Sequence, residues 1–145
     1  MLRLWFRKRR EVSLGSSRGY ICRSCDTHFI VDHGGGFFFD KLHCDQCGRA
    51  TNVGHRDLGD IHLRYVKGLG MPYAVARAAM DARIQAEYQG EPLSQDEYYA
   101  AAEATLDPCP CGGRFRYDAP PRCPTCRSTD EQWDTDPEAG SAFYD

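Results

Sequence analysis

Apolar positions along this chain come in short runs broken by glycine, proline and charged clusters, a pattern of several small elements rather than one large core. Leu2, Leu4 and Phe6 alternate with Arg3, Trp5 and Arg7, a weak strand signal that runs into the basic stretch 7–10 and a turn-rich segment ending at Gly19. Thr27-His28-Phe29-Ile30-Val31 reads as a strand, Asp32 to Gly36 as a glycine turn, and Phe37 to Leu42 as the returning strand of a hairpin. Residues 51–70 carry Ile61, Leu63, Tyr65 and Val66 at spacings that suit either a strand or a short helix, and Gly68 and Gly70 then break the pattern.

Residues 72–89 read as a helix. Pro72 suits its first position, and Tyr73, Ala76, Met80, Ile84 and Tyr88 fall on one stripe. Gly90-Glu91-Pro92 ends it. A second helix starts at Ser94, where Ser94-Gln95-Asp96-Glu97 has the form of a capping box, and runs to about Leu106 with Tyr98, Tyr99, Ala102 and Leu106 on its apolar side. Two short antiparallel helices are the expectation. From residue 130 the chain is acidic and reads as a loose tail.

The cysteines change this picture. Cys22 and Cys25 are followed, after residues 26–43, by Cys44 and Cys47, a C-x2-C…C-x2-C spacing that reads as a four-cysteine zinc site. A gap of two residues lets one tight turn supply two thiolates to a tetrahedral ion. A second group follows at Cys109, Cys111, Cys123 and Cys126, where the first pair is separated by a single residue, Pro110. Each group has four ligands, so sequential pairing within each is the economical expectation. On that reading His28, His33, His43, His55 and His62 are not needed as ligands.

Compartment and charge refine this. Met1 to Phe6 runs into Arg7-Lys8-Arg9-Arg10 without the apolar stretch of a secretory signal, and no apolar run approaches the length of a membrane span. A cytoplasmic location is the expectation, where thiols stay reduced and bind metal rather than form disulfides. Residues 1–67 hold 12 Lys and Arg against 7 Asp and Glu, and residues 68–145 hold 6 against 14. The anionic second half argues against wholesale coating of nucleic acid, although the basic first half and the Phe37-Phe38-Phe39 run keep that partner in play.

Residues 20–50, with their paired cysteine turns and Gly48 after the second, resemble the zinc-ribbon superfamily, whose members carry two cysteine knuckles on a β-hairpin scaffold. Residues 107–129 are similar, with Cys123-Pro124-Thr125-Cys126 typical and Cys109-Pro110-Cys111 atypical. The readings combine into a small α+β protein, two zinc-stapled hairpin ribbons flanking a helical pair. Its parts are a basic arm (1–19), a first ribbon with extension (20–70), the helices (71–106), a second ribbon (107–129) and an acidic tail (130–145). The expected cofactors are two Zn2+ ions, with iron as the alternative, because a tetrahedral S4 site suits either. A closed four-thiolate site leaves no position for water or substrate, so no catalysis is expected. A Gly15-Ser16-Ser17-Arg18-Gly19 stretch matches a hydrolase pattern without the strand-to-helix context that chemistry needs. The resemblance implies a binding module, and a protein partner is the first expectation.

Overall fold

A computed structural model describes residues 15–73 and 75–136 and the backbone of 141–144. The alternating apolar segment and basic run of the arm, residues 1–14, lie outside the described residues. The described part is α+β, with two antiparallel sheets and a group of short helices.

In the first sheet β1 (Gly15–Cys22) is central. β2 (His28–His33) takes one of its edges, pairing from Ser16↔His33 to Ile21↔His28. Two later strands share the other edge: β6 (Glu131–Trp133) lies against Tyr20–Cys22 and β7 (Ser141–Tyr144) against Gly15–Arg18. The acidic end, expected as a loose tail, thus contributes two strands. The second sheet has the order β4-β3-β5, built from β3 (Phe39–Cys44), β4 (Ala50–Gly54) and the short β5 (Phe115–Arg116).

The hairpin expected between residues 27–31 and 37–42 does not form. β2 pairs with β1, and β3 pairs with β4 and β5. The reason is local. Each C-x2-C turn is itself a hairpin turn, Cys22–Cys25 between β1 and β2 and Cys44–Cys47 between β3 and β4. The glycine run connects two hairpins instead of closing one.

After β4 the chain enters α1 (His55–Leu58) and α2 (Asp60–Gly68), the stretch whose sequence suits strand or helix equally. A 3-10 turn at Val75–Arg77 leads into α3 (Ala78–Glu87), and α4 (Gln95–Ala104) follows. The Ser94 capping box is present, with Ser94 Oγ accepting from Glu97 N and Glu97 Oε2 accepting from Ser94 N. α3 and α4 both pack on α2, so the helical pair is organised by a third helix.

The stripe expected on α3 is rotated. Met80 is 46% exposed, whereas Arg77 and Asp81 are buried. The inward positions are Arg77, Asp81 and Gln85, four apart and polar. Their burial is offset by bonds: Arg77 Nη1 donates to Phe37 O at 2.7 Å, Asp81 Oδ2 accepts from Tyr73 N at 2.8 Å, and Gln85 Nε2 donates to Val66 O and Met71 O. The core itself joins Leu42 and Val53 of the second sheet to Leu58, Tyr65, Tyr98 and Ala102 of the helices. Tyr65 and Tyr98 stack at 4.0 Å within it.

Candidate metal centres

The four cysteine turns share one construction. In each, the residue after the second cysteine has positive φ: Asp26 at 59°, Gly48 at 77°, Gly112 at 93° and Arg127 at 63°. Its N–H bonds back to the first cysteine's carbonyl, as Asp26 N→Cys22 O, Gly48 N→Cys44 O, Gly112 N→Cys109 O and Arg127 N→Cys123 O, all between 2.8 and 3.0 Å. The first cysteine's N–H in turn bonds one residue further on, to Thr27, Arg49, Gly113 or Ser128. The C-x-C turn therefore closes by the same two bonds with one residue fewer. Its left-handed position is filled by glycine, which adopts that backbone without penalty.

These turns bring the sulfurs together across the chain. One group is Cys22, Cys25, Cys123 and Cys126; the other is Cys44, Cys47, Cys109 and Cys111, with the sulfurs of each group within 4.8 Å of one another. The closest approaches are Cys22–Cys126 and Cys25–Cys123 at 3.5 Å in the first, and Cys44–Cys111 at 3.5 Å and Cys47–Cys109 at 3.7 Å in the second. All eight predicted ligands are thus assembled into two sets of four, but the sequential pairing is overturned. Neither residues 20–50 nor residues 107–129 form a site alone. The sites are nested: the second, inner group encloses residues 48–108, and the first, outer group encloses the inner one.

The donor set fits a tetrahedral metal. Two thiolates at about 2.3 Å from a tetrahedral ion stand roughly 3.8 Å apart, close to the separations seen. No two cysteines are bonded to each other. Each group has two buried sulfur-bearing residues and two more accessible ones, with Cys25, Cys111 and Cys126 exposed. Amides aim at the buried sulfurs, Gln46 N at Cys44 Sγ and Thr125 N at Cys123 Sγ, both at 3.4 Å. At Cys123 burial pushes the thiol up, yet the amides of Cys126 and Thr125 and the thiols of Cys25 and Cys22 bring it down to about 6, whereas neighbouring thiols push Cys126 and Cys109 up to about 12.

Bonds beside the sulfurs lock each pair of turns. At the outer group Arg23 N donates to Asp130 O at 2.8 Å, Ser24 Oγ meets Ser128 Oγ at 3.0 Å, and Thr27 Oγ1 donates to Thr125 Oγ1 at 3.2 Å. At the inner group Asp45 N donates to Arg114 O at 2.9 Å, and Arg114 N donates to Asp45 Oδ1 at 3.0 Å. A Cβ on Gly113 would stand 2.5 Å from Cys44 Sγ, so that position admits only glycine.

No histidine joins either sulfur group, and sequence reasoning passed over what two of them do. Asp40 is buried and accepts four bonds: Oδ1 from His55 Nε2 at 3.1 Å and Tyr73 OH at 3.4 Å, Oδ2 from Tyr117 OH at 2.8 Å and from Tyr98 OH. Burial pushes this carboxyl up, but the His55 bond and charge with the Tyr98 and Tyr117 hydroxyls hold it below the usual carboxylate range. Arg77 Nη1 lies 3.3 Å from His55 Nδ1. His62 stacks on His55 at 3.8 Å, and burial together with the charges of His55 and Arg77 lowers it to about 3. A signal for this cluster exists in the sequence: strand alternation puts Asp40 on the same face as Leu42 and Cys44, and all three are buried.

The aromatic run that kept nucleic acid in play is mostly turned inward, with Phe38 exposed and Phe37 and Phe39 half-buried. No helix among the described residues is long and apolar enough to cross a membrane. The model of the family described as Domain of unknown function (DUF8255) matches residues 19–132, and the chain belongs to that family. No curated protein and no solved structure matches the chain.

Proposed function

We propose that this family member is a non-catalytic scaffold held by two structural zinc ions, working in the cytoplasm by presenting its surface to another protein. The observation that carries the reading is the pair of closed four-sulfur groups, each drawing two ligands from either end of the fold. Four thiolates complete a tetrahedral ion, so Cys22, Cys25, Cys123 and Cys126 would hold one zinc and Cys44, Cys47, Cys109 and Cys111 the other. Zinc supplies cross-linking there, without redox change and without an open position for substrate. The two-knuckle plan of each site is that of a zinc ribbon, here assembled from distant segments. Iron would suit the same sulfur set.

Metal analysis of protein purified without added metal tests this, together with its visible spectrum. Two equivalents of zinc in a colourless protein are expected. One equivalent or none, or the red colour of iron bound to four thiolates, would overturn the assignment. Nucleic acid ranks second as a partner, because the described aromatic run offers only Phe38 fully to solvent.

A further inference from the structure

β5 is an edge of the second sheet. In an antiparallel ladder, the two residues of a non-hydrogen-bonded pair turn their N–H and C=O groups away from each other. Cys44 gives its N–H to Arg49 O on the β4 side, so the pair Cys44↔Phe115 is of this kind. Phe115 therefore presents both main-chain groups away from β3, along the outer edge. The next outward donor, Tyr117 N, bonds to Glu103 Oε1 of α4 at 3.0 Å. A carboxylate of α4 already takes the place of a further strand at that point.

Beside it the edge is open. A cleft of about 300 Å³ separates Phe115 from Ala100 and Ala104, one helical turn apart on α4. A second cleft of about 370 Å³ continues past Tyr99 and Tyr117 and shares Ala100, Glu103 and Arg116 with the first. Four carboxylates line the two, Asp96, Glu103, Asp107 and Asp118, against the guanidiniums of Arg114 and Arg116. Arg116 is itself bonded to Asp118 at 2.9 Å, which leaves the walls acidic.

We propose that this cleft takes an extended, basic segment of a partner protein, added as a strand to the outer edge of β5. The proposal rests on the reading of the chain as a protein-binding scaffold and gives that reading its surface. An outward N–H and C=O from one residue match the main chain of an extended peptide, and pockets beside such an edge select alternate side chains. The segment pairs with Phe115, lays one side chain against Ala100 and Ala104, and sets a Lys or Arg against the flanking carboxylates.

The test uses the metal-loaded full chain, labelled with 15N, and a heptapeptide of alternating Lys and Val. We expect saturable shifts of the Phe115 amide, and exchange of that amide with solvent slowed about tenfold at saturation. The response should vanish for a Glu-Val peptide of the same pattern and for a Lys-Val peptide N-methylated at alternate amides. Ala104→Arg, on the exposed face of α4, should fill the cleft and abolish the response with metal content unchanged. A Phe115 amide unmoved at millimolar peptide, equal binding of the Glu-Val peptide, or undiminished binding by Ala104→Arg would overturn the proposal. The scaffold reading is read separately, from proteins that copurify with the parent chain. Partners retained by Ala104→Arg overturn the cleft and leave that reading standing. A Phe115 response in a chain that recovers no partner supports the cleft and removes that reading.

Discussion

Asp40 shows how one residue can tie a small fold together. It sits on a strand of the second sheet, yet its donors come from α1, α4, the segment before α3 and the residue after β5. All four donors point hydrogens at a carboxylate, so an amide in its place would turn its own N–H groups against some of them. We expect Asp40→Asn to cost about 3–5 kcal/mol, the usual loss when one partner of a buried charged network is removed. Urea unfolding of the metal-loaded protein measures it, and a loss below about 1 kcal/mol would show the network to be incidental. His62 adds a pH dependence. Its folded pKa of about 3 lies below that of a free imidazole. As pH falls below about 6.5 the unfolded chain takes up a proton that the folded protein refuses, and stability drops by about 1.4 kcal/mol per pH unit. The loss continues down to a pH of about 3, where the folded state accepts the proton too. Between pH 6.5 and 5 the parent should lose about 2 kcal/mol more than His62→Phe. That comparison cancels the proton uptake of the thiols, and parallel curves would refute it. Strand period alone places Asp40 inward, so its burial was legible. Its partners were not, because they lie at remote positions with no spacing rule to join them.

At the level of elements, legibility followed how local the cause is. The start of α4 could be read because the Ser94 and Glu97 bonds close within four residues. The face of α3 could not, because Arg77 and Asp81, paired with each other at 3.4 Å, are held inward by the remote partners Phe37, His55 and Tyr73. Cysteine turns fall between. Their spacing announced eight ligands, while the left-handed residue that closes each turn is marked by glycine in two and by Asp26 and Arg127 in the others. A side chain at such a position costs roughly 1–2 kcal/mol relative to glycine. Arg127→Gly should therefore raise stability by about 1 kcal/mol without changing metal content. Gly113→Ala should act in the opposite sense, because its Cβ would collide with Cys44 Sγ at 2.5 Å. We expect bound metal to fall from two equivalents to one, read by elemental analysis. Full retention of both ions would mean the inner turn can shift to make room.

For the whole molecule, the pairing of the turns matters more than their number. Sequential pairing looked economical because it closes the shorter loops, but chain length is a weak argument. Closing a loop about three times longer costs only ~1 kcal/mol more, since the entropy grows with the logarithm of length. The energy of a structural metal, on the order of 10 kcal/mol where the ion is zinc, is open to either pairing, so the arrangement of the surrounding strands decides which turns meet. In the nested order, the inner clasp encloses most of the hydrophobic core: Val53, Leu58, Tyr65, Tyr98 and Ala102 all lie between Cys47 and Cys109. The outer clasp holds β1, β2 and β6, whose residues do not belong to that core cluster. Breaking the two clasps should therefore have different reach. Cys123→Ser should remove hydrogen-exchange protection from β1 and β2 while α2 and α4 keep theirs. Cys111→Ser, in the clasp that encloses the core and 3.5 Å from Cys44 Sγ on β3, should lower protection in α2, α4 and β3 as well. Exchange measured residue by residue distinguishes this from a single cooperative unit, in which both variants would lose protection everywhere to the same extent. It also separates it from two independent modules, in which Cys111→Ser would leave α2 and α4 untouched. The nested order requires the asymmetry, with the inner lesion spreading through the core and the outer one confined to the sheet it holds.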